Sequence, residues 1–372
     1  MIKLLSIVPY KFLPAQTGGQ KFIAWFHRFL AHHISITCAG TQQNIPEAAA
    51  GYELLPVMTG SFTRYFNPLL ALRLQRLIRT RQFTHVMIQH PYMGWLGVCL
   101  KQLTGVKLIV QSHNIEGQRF KSIGKSWAPL LAQYERWVHR RADYNFFITP
   151  EDAAYAIERF KLAAHKCMVA TYGIAATAPP RPAEKQAAQA ILRATHNIAP
   201  GERIVLFNGT FDYAPNAAAL NLLVQRIYPL LQQQQQPFTL IICGKDIPQH
   251  IQQLALPGLV IAGFVPDMDL YLRGAELFLN PITQGGGIKT KLVEALASDM
   301  ACISFASGAI GIPAAVTGGQ LAIVPDHDVA AFCNETARIM LSLQPQQHIP
   351  AAFFSYFNWE HITEKAAAFI NS

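Results

Sequence analysis

The stretch Pro281–Ala297 reads P-I-T-Q-G-G-G-I-K-T-K-L-V-E-A-L-A, and its local pattern decides the fold. The apolar run Leu277-Phe278-Leu279 leads into it and reads as the end of a buried strand. Gly285, Gly286 and Gly287 follow, and then Ile288, Leu292, Val293 and Leu296 recur at helical spacing. The succession is strand, glycine turn, helix N-terminus. Such a turn lets backbone N–H groups approach a ligand with no Cβ in the way. The helix start adds unpaired donors and a partial positive charge, which suit a phosphate. Lys289 and Lys291 bring full positive charges to the same turn, with Thr290 between them. Cations are unfavourable at a helix N-terminus, so an anion there would relieve a local conflict. Glu294, three residues after Lys291, shares its helix face. The competing interpretation is a plain glycine-rich turn carrying a surface Lys–Glu pair.

Outward from this stretch, 372 residues imply two domains, and 51% hydrophobic against 14% charged residues supplies ample core material. The net charge of +9 is unevenly placed: residues 1–175 carry 20 basic and 8 acidic side chains, residues 176–372 carry 11 and 14. The first half is therefore expected to face something anionic. The six cysteines (Cys38, Cys99, Cys167, Cys243, Cys302, Cys333) form no Cys-x-x-Cys pair, so buried free thiols are expected rather than disulfides or zinc. The thirteen histidines show no His-Glu-x-x-His spacing, so no metal site is expected. No run of about 18 apolar residues suggests a membrane span, and Leu4–Val8, ended by Pro9, fits a first buried strand rather than a signal sequence.

Read in order, Ile2–Val8 is a strand, Pro14–Gly19 a loop with a Gly18-Gly19 pair, and Phe22 to Leu30 an amphipathic helix. This is the opening unit of a nucleotide-binding α/β fold, although the full G-x-G-x-x-G fingerprint is absent. Ile34–Cys38 is a second strand, and Leu69–Ile78 a helix with a basic face at Arg73, Arg76 and Arg79. His85–Gln89 and Lys107–Gln111 are short strands ending in the polar clusters Gln89-His90 and Ser112-His113-Asn114. Ligands bind beyond the carboxyl ends of strands in such sheets, which makes His113 a candidate site residue. Asp143–Thr149 is a strand, Glu151–Phe160 a helix, and the half ends after Cys167–Tyr172. Ala175–Gln186, rich in Ala and Pro, reads as a linker. A second series follows: strands at Ile204–Phe207, Phe238–Cys243, Val260–Ala262, Leu277–Asn280, Ala301–Phe305 and Leu321–Val324, a helix at Ala217–Leu231, and a loop or frayed helix end at Gln232–Gln236. Two such series predict an α/β protein of two Rossmann-like, doubly wound domains facing each other across a cleft. The expected boundaries are 1–175, 176–350, and a C-terminal helix within 351–372 packing back toward the first domain.

The segments Val205–Asn216 (V-L-F-N-G-T-F-D-Y-A-P-N), Gly263-Phe264-Val265, Pro281–Ala297 and Met300–Ile312, with Ser112–Glu116 (S-H-N-I-E) and the Gly18-Gly19 loop, resemble the retaining glycosyltransferases of family 4, which have the GT-B fold. Their order and spacing cover nearly the whole chain. The resemblance implies a nucleotide-sugar site in the second half and an acceptor side in the first. Glu294 matches the second glutamate of the family's Glu-seven-residues-Glu motif, which holds the two ribose hydroxyls. A carboxylate suits that role because it accepts two hydrogen bonds at once. Gly286 stands where the first glutamate would fall, so the backbone of Gly285, Gly286 and Gly287 is expected to serve instead. The family's usual Arg/Lys pair is also missing, since Asn208–Asn216 holds no basic residue. That shifts the diphosphate onto Lys291 and Lys289.

Phe264 and Val265 occupy the segment that meets the base. His113 matches the position near the donor sugar, and Gly18, Gly19, Asn208, Gly209 and Thr290 complete the expected substrate contacts. The catalytic candidates are His113, Lys291 and Glu294. The implied reaction is sugar transfer from a UDP- or GDP-sugar to an acceptor hydroxyl with retention, without metal or other cofactor, in cell-surface polysaccharide or glycolipid synthesis. The implied setting is cytoplasmic and peripheral to an anionic inner-membrane face, with a glycan or lipid-linked acceptor as partner. The alternatives are a degenerate, non-catalytic sugar-nucleotide binder, a sugar-nucleotide epimerase, and a basic nucleic-acid-binding protein, the last without any nucleic-acid motif.

Overall fold

A computed structural model describes residues 2–234, 236–342 and 348–372. Gln235, inside the expected Gln232–Gln236 loop, lies outside the described residues, as does 343–347 of the expected second domain. The chain forms two units. The first comprises Met1–Ala175, Gly285–Ile288 and Phe357–Ser372, and the second Ala176–Gln284 and Lys289–Tyr356.

The first unit is built on seven strands: β1 (Lys3–Ile7), β2 (Ser35–Thr41), β3 (Glu53–Met58), β4 (His85–Gln89), β5 (Lys107–Ser112), β6 (Tyr144–Phe147) and β7 (Cys167–Val169). They lie in the order β3-β2-β1-β4-β5-β6-β7, and every pairing is parallel. A parallel sheet is covered on both faces, which is why its strands are near-continuous apolar runs; β4 is buried at all five positions. The strand order reverses between β1 and β4, which places a crevice beyond their carboxyl ends.

The second unit repeats the design. Its strands are β8 (Arg203–Thr210), β9 (Phe238–Lys245), β10 (Leu259–Gly263), β11 (Leu277–Asn280), β12 (Ala301–Phe305) and β13 (Leu321–Val324). The order is β10-β9-β8-β11-β12-β13, again all parallel, with the reversal between β8 and β11. The α/β class and the two Rossmann-like units are as expected.

Several expectations need correction. Gly18 and Gly19 do not lie in a loop: they form the first turn of the helix Gly18–Leu30, capped by Thr17 and Gln20 in a reciprocal capping box. The expected linker Ala175–Gln186 runs into a helix, Pro182–His196. Proline at a first helical position is already set for helix, and Ala188 and Leu192 supply the buried face. The helix expected at Ala217–Leu231 is three pieces: Ala214–Leu222, a π-turn at Leu223–Ile227, and Tyr228–Gln232. Pro229 offers no N–H to the carbonyl four residues earlier, and the wider turn absorbs that gap. Strand β3 has no counterpart among the expected elements.

The C-terminal helix Trp359–Asn371 belongs to the first unit, where Trp359 stacks near Phe29 at 6.4 Å, while Ala351–Tyr356 belongs to the second. A Cβ at Gly173 would stand 2.3 Å from the Trp359 ring, so the strand exit and this helix are in close contact.

Candidate functional site

In the second unit the site forms where the strand order reverses. β8 ends in Asn208-Gly209-Thr210, and β11 ends at Asn280, before the glycine turn. The helix Thr290–Ala297 follows the turn, with Lys289 at its N-cap position and Thr290 as its first residue. Lys291 does not form the exposed Lys–Glu pair that its spacing allows. Its Nζ turns inward and donates to the carbonyl of Asn208 at 2.7 Å and to Asn216 Oδ1 at 2.9 Å. It also lies 4.9 Å over the Phe207 ring. A Cβ at Gly209 would stand 3.2 Å from that Nζ, so the glycine leaves the ammonium room.

The cation that Asn208–Asn216 lacks in sequence is therefore supplied from the next strand–helix turn. Burial, joined by the neighbouring Lys289 charge and opposed by Glu294, lowers the Lys291 pKa from 10.5 to about 7. Its two bonded partners are neutral. Asn208 Oδ1 is buried without a hydrogen-bond partner, a polar atom of the kind a ligand completes. Glu294 lies half-buried one turn further along the helix.

After β10, Phe264 is 64% exposed and Val265 half-buried. The Lys245 ammonium sits 4.8 Å over the Phe264 ring. Lys245 ends β9 opposite Thr210 at the end of β8, yet sequence reasoning gave it no role. Its signal was available: a basic residue at the carboxyl end of a parallel strand.

In the first unit the polar ends of β4 and β5 meet. Gln89 Nε2 donates to Gln111 Oε1 at 2.6 Å, and His113 Nε2 lies 3.0 Å from Gln89 Oε1. The His113 ring packs on Phe22 at 4.6 Å and on His90 at 4.2 Å. Burial and the nearby His90 hold its pKa well below the usual imidazole range, against a weaker opposing pull from Glu116. The side chain is buried and tied to Gln89. Its backbone carbonyl is the part that meets the glycine turn: a Cβ at Gly287, where φ is +63°, would stand 2.4 Å from His113 O and 2.5 Å from Asn114 Oδ1. Gly286 lies against the same Asn114. Only glycine allows both that φ and that approach.

Glu116 is fully buried and anchors the cluster. Tyr92 OH donates to it at 2.6 Å, Arg119 Nη1 at 2.7 Å and Asn114 Nδ2 at 3.1 Å. His90 Nδ1 stands 3.1 Å from Glu116 Oε1, in ion-pair contact but off the line of a straight hydrogen bond. Burial opposes the Glu116 charge, yet His90, Arg119 and Tyr92 outweigh it and hold the carboxyl well below its usual range. His90 has φ 60° and ψ 162°. That region is essentially reserved for glycine and costs other residues about 1–3 kcal/mol. Neither His90 nor Glu116 had an assigned role in the sequence. Gly18 and Gly19 stand at the start of the helix Gly18–Leu30, and a Cβ at Gly19 would meet nothing within 4 Å. Among the described residues no cluster of His, Cys, Asp or Glu could hold a metal ion.

Two family profiles match the chain. Residues 23–173 match the glycosyl transferase 4-like domain, and residues 202–342 match the glycosyl transferases group 1. No curated protein sequence matches. Among solved structures, the sucrose-phosphate synthase of Thermosynechococcus elongatus is similar at a TM-score of 0.75 with 17% identity, covering 99% of this chain and 98% of that one. Anabaena HepE in complex with UDP-glucose is similar at a TM-score of 0.73 with 14% identity, covering 100% of both chains. WaaG, a glycosyltransferase involved in lipopolysaccharide biosynthesis, is similar at 0.64 with 14% identity, covering 99% of this chain and 100% of that one.

Proposed function

The chain belongs to the glycosyltransferases of the GT-B fold, and from that premise we propose that it moves a sugar from a nucleoside-diphosphate sugar to an acceptor hydroxyl with retention at the anomeric carbon. The observation that carries this is Lys291: an inward-turned ammonium at the carboxyl end of β8, bonded only to neutral groups and held near neutrality by burial. A diphosphate beside it would restore the full charge. The N-terminus of the helix Thr290–Ala297 and Lys289 add to the same field. Glu294 would receive the ribose hydroxyls, the Phe264-Val265 segment the base, and Lys245 would stand as a further cation. The complexes of HepE with UDP and with UDP-glucose support a uridine nucleotide as the first to test.

In the reaction the bond from the anomeric carbon to the diphosphate oxygen breaks, and a bond to the acceptor oxygen forms on the same face. The acceptor proton passes to the departing phosphate oxygen. The protein supplies position and charge stabilisation, for which Lys291 and the turn's N–H groups are suited. A thermal-shift panel of UDP-, GDP-, ADP- and CDP-sugars tests the donor, since a bound ligand stabilises in proportion to the logarithm of its occupancy. Proton NMR of the product then reads the anomer. A panel with no shift, or an inverted product, overturns the corresponding part.

The acceptor side is proposed to work at an anionic membrane surface. No helix among the described residues is long and apolar enough to cross a membrane. The first unit nonetheless presents Phe62 and Phe66, each 70% exposed, beside an open cavity of about 490 Å³ walled by Tyr65, Tyr92, Trp95 and Tyr134. The next helix, Pro68–Arg81, exposes Leu69 and Leu72, and residues 62–81 hold five arginines and no acidic residue. Arg64 is half-buried and turned onto the carbonyls of Pro9, Gly60 and Ser61; Arg73, Arg76 and Arg79 are exposed, although Arg73 and Arg79 each also donate to one backbone carbonyl, of Val57 and Leu103. Each basic residue near such a surface contributes about 1 kcal/mol. Co-sedimentation with anionic but not neutral vesicles, fading at high salt, is the expected result; no binding to anionic vesicles at low salt removes the membrane.

A further inference from the structure

The residue after β4 stands where the strand order of the first sheet reverses. That residue is His90, and its backbone takes a conformation that a Cβ disfavours. The chain has a local reason to bend there. Gln89 is fully buried and bonded to Gln111 and His113, the His90 N–H donates to the Gln111 carbonyl at 2.8 Å, and Pro91 opens a tight turn. None of these demands a histidine; a glycine would satisfy all of them without strain. The side chain must then account for the residue's presence.

The imidazole lies against His113 at 4.2 Å, against Tyr92 at 5.4 Å and against Tyr10 at 6.0 Å between centroids. Nδ1 faces the buried Glu116 carboxylate, which Arg119, Tyr92 and Asn114 fix in turn. Nε2 pairs with no group among the described residues, although His90 is only 8% exposed. A ring held against a buried carboxylate on one edge and open on the other, on a strained backbone at a switch point, is a group placed for a ligand.

We propose that His90 contacts the acceptor: its Nε2 makes a hydrogen bond to a hydroxyl of a polyhydroxylated acceptor, while Glu116 fixes the ring from behind. This rests on the glycosyl-transfer reading, and it assigns His90 no part in donor binding. The proton of the reacting hydroxyl still leaves with the diphosphate, so His90 orients and does not consume it. Asn114, tied to Glu116 and lying against Gly286 and Gly287, links the same cluster to the glycine turn.

The test compares His90→Gly with His90→Ala in the full chain. Both lack the ring, so their difference isolates the backbone. Glycine should melt higher than alanine, reversing the usual order of the two residues. Both variants should keep the wild-type Kd for UDP, read by calorimetry. With UDP-glucose as donor and octyl β-glucoside and octyl β-galactoside as acceptor probes, transfer should fall on the order of tenfold or more. Hydrolysis of the donor by water should fall less than transfer. Alanine melting at or above glycine overturns the strain. A weakened UDP Kd, or equal loss of transfer and hydrolysis, overturns the acceptor assignment. A wild-type protein that neither transfers nor hydrolyses any sugar nucleotide overturns the glycosyl-transfer reading itself, whatever the variants do.

Discussion

The two strand-reversal sites of this molecule solve the burial of charge in opposite ways. In the second unit Lys291 is drawn inward onto a carbonyl and an amide oxygen, and its pKa falls to about 7. In the first unit Glu116 is fully buried, deeper than the partly buried Lys291, but is surrounded by Arg119, Tyr92, Asn114 and His90, and its charge is secured. A buried ion is tolerable only when something compensates it. The carboxylate carries its compensation in the protein; the ammonium, on the function proposed above, would be completed by a ligand. On that reading one site is an internally paired platform, and the other would be a receptor for negative charge. That contrast also separates what each should do under mutation and pH.

The largest effect should come from removing the uncompensated cation. Lys291→Ala is expected to reduce kcat by on the order of 10²-fold or more, beyond its loss of nucleotide affinity, if the ammonium stabilises the departing diphosphate. Normal turnover in a folded variant would leave Lys291 only a structural tie between Asn208 and Asn216. Glu294→Ala should follow, weakening nucleotide binding by roughly 2–4 kcal/mol through loss of a charged acceptor of two hydrogen bonds. Calorimetry with the preferred nucleotide decides it; unchanged affinity removes the ribose assignment.

The pH dependence sharpens the comparison further. The folded pKa of Lys291, about 7, lies below its ordinary value of 10.5. The folded, ligand-free state therefore binds fewer protons than the unfolded chain between those values, and this group's contribution to stability rises with pH across that window. A diphosphate bound as proposed would raise the Lys291 pKa, so binding above pH 7 would take up a proton. Affinity should then fall by up to about tenfold per pH unit above 7. Calorimetry in buffers of different ionisation enthalpy measures the uptake directly. Lys291→Met should remove it, and uptake that survives this substitution must come from another group.

How much of this could be read beforehand follows from the same contrast. The glycine turn, the strands at β4, β5, β8 and β11, and the polar clusters at their ends stand out because a parallel strand is a short apolar run with an abrupt polar exit. Lys291 was harder to read. Its spacing to Glu294 looks like a surface pair, while its real partners, Asn208 and Asn216, lie 83 and 75 residues away. No local pattern encodes a contact of that span. His90 was harder still, since it takes a positive φ beside long-range bonds of β4 to β5, with no glycine in its own segment to mark the bend. The helix Pro182–His196 was missed for a different reason. Alanine and proline serve a linker and a helix start equally well, and only the burial of Ala188 and Leu192 separates the two.

The smallest expected effect is also the cleanest, because stability should improve while substrate binding weakens. Gly19 lies in the first turn of the helix Gly18–Leu30, and a Cβ there would meet open space. Alanine is the better helix former by up to about 1 kcal/mol, less near an end than in the interior. Gly19→Ala should therefore raise Tm slightly. If the helix start receives substrate through its backbone N–H groups, the added methyl also occupies the space the ligand needs, so KM should rise as Tm rises. A packing role predicts an unchanged KM, since filling open space beside the helix would disturb nothing that binds. A variant with higher Tm and unchanged kinetics would strip Gly18 and Gly19 of their expected contact. The first unit's site would then rest on the cluster around Glu116 alone.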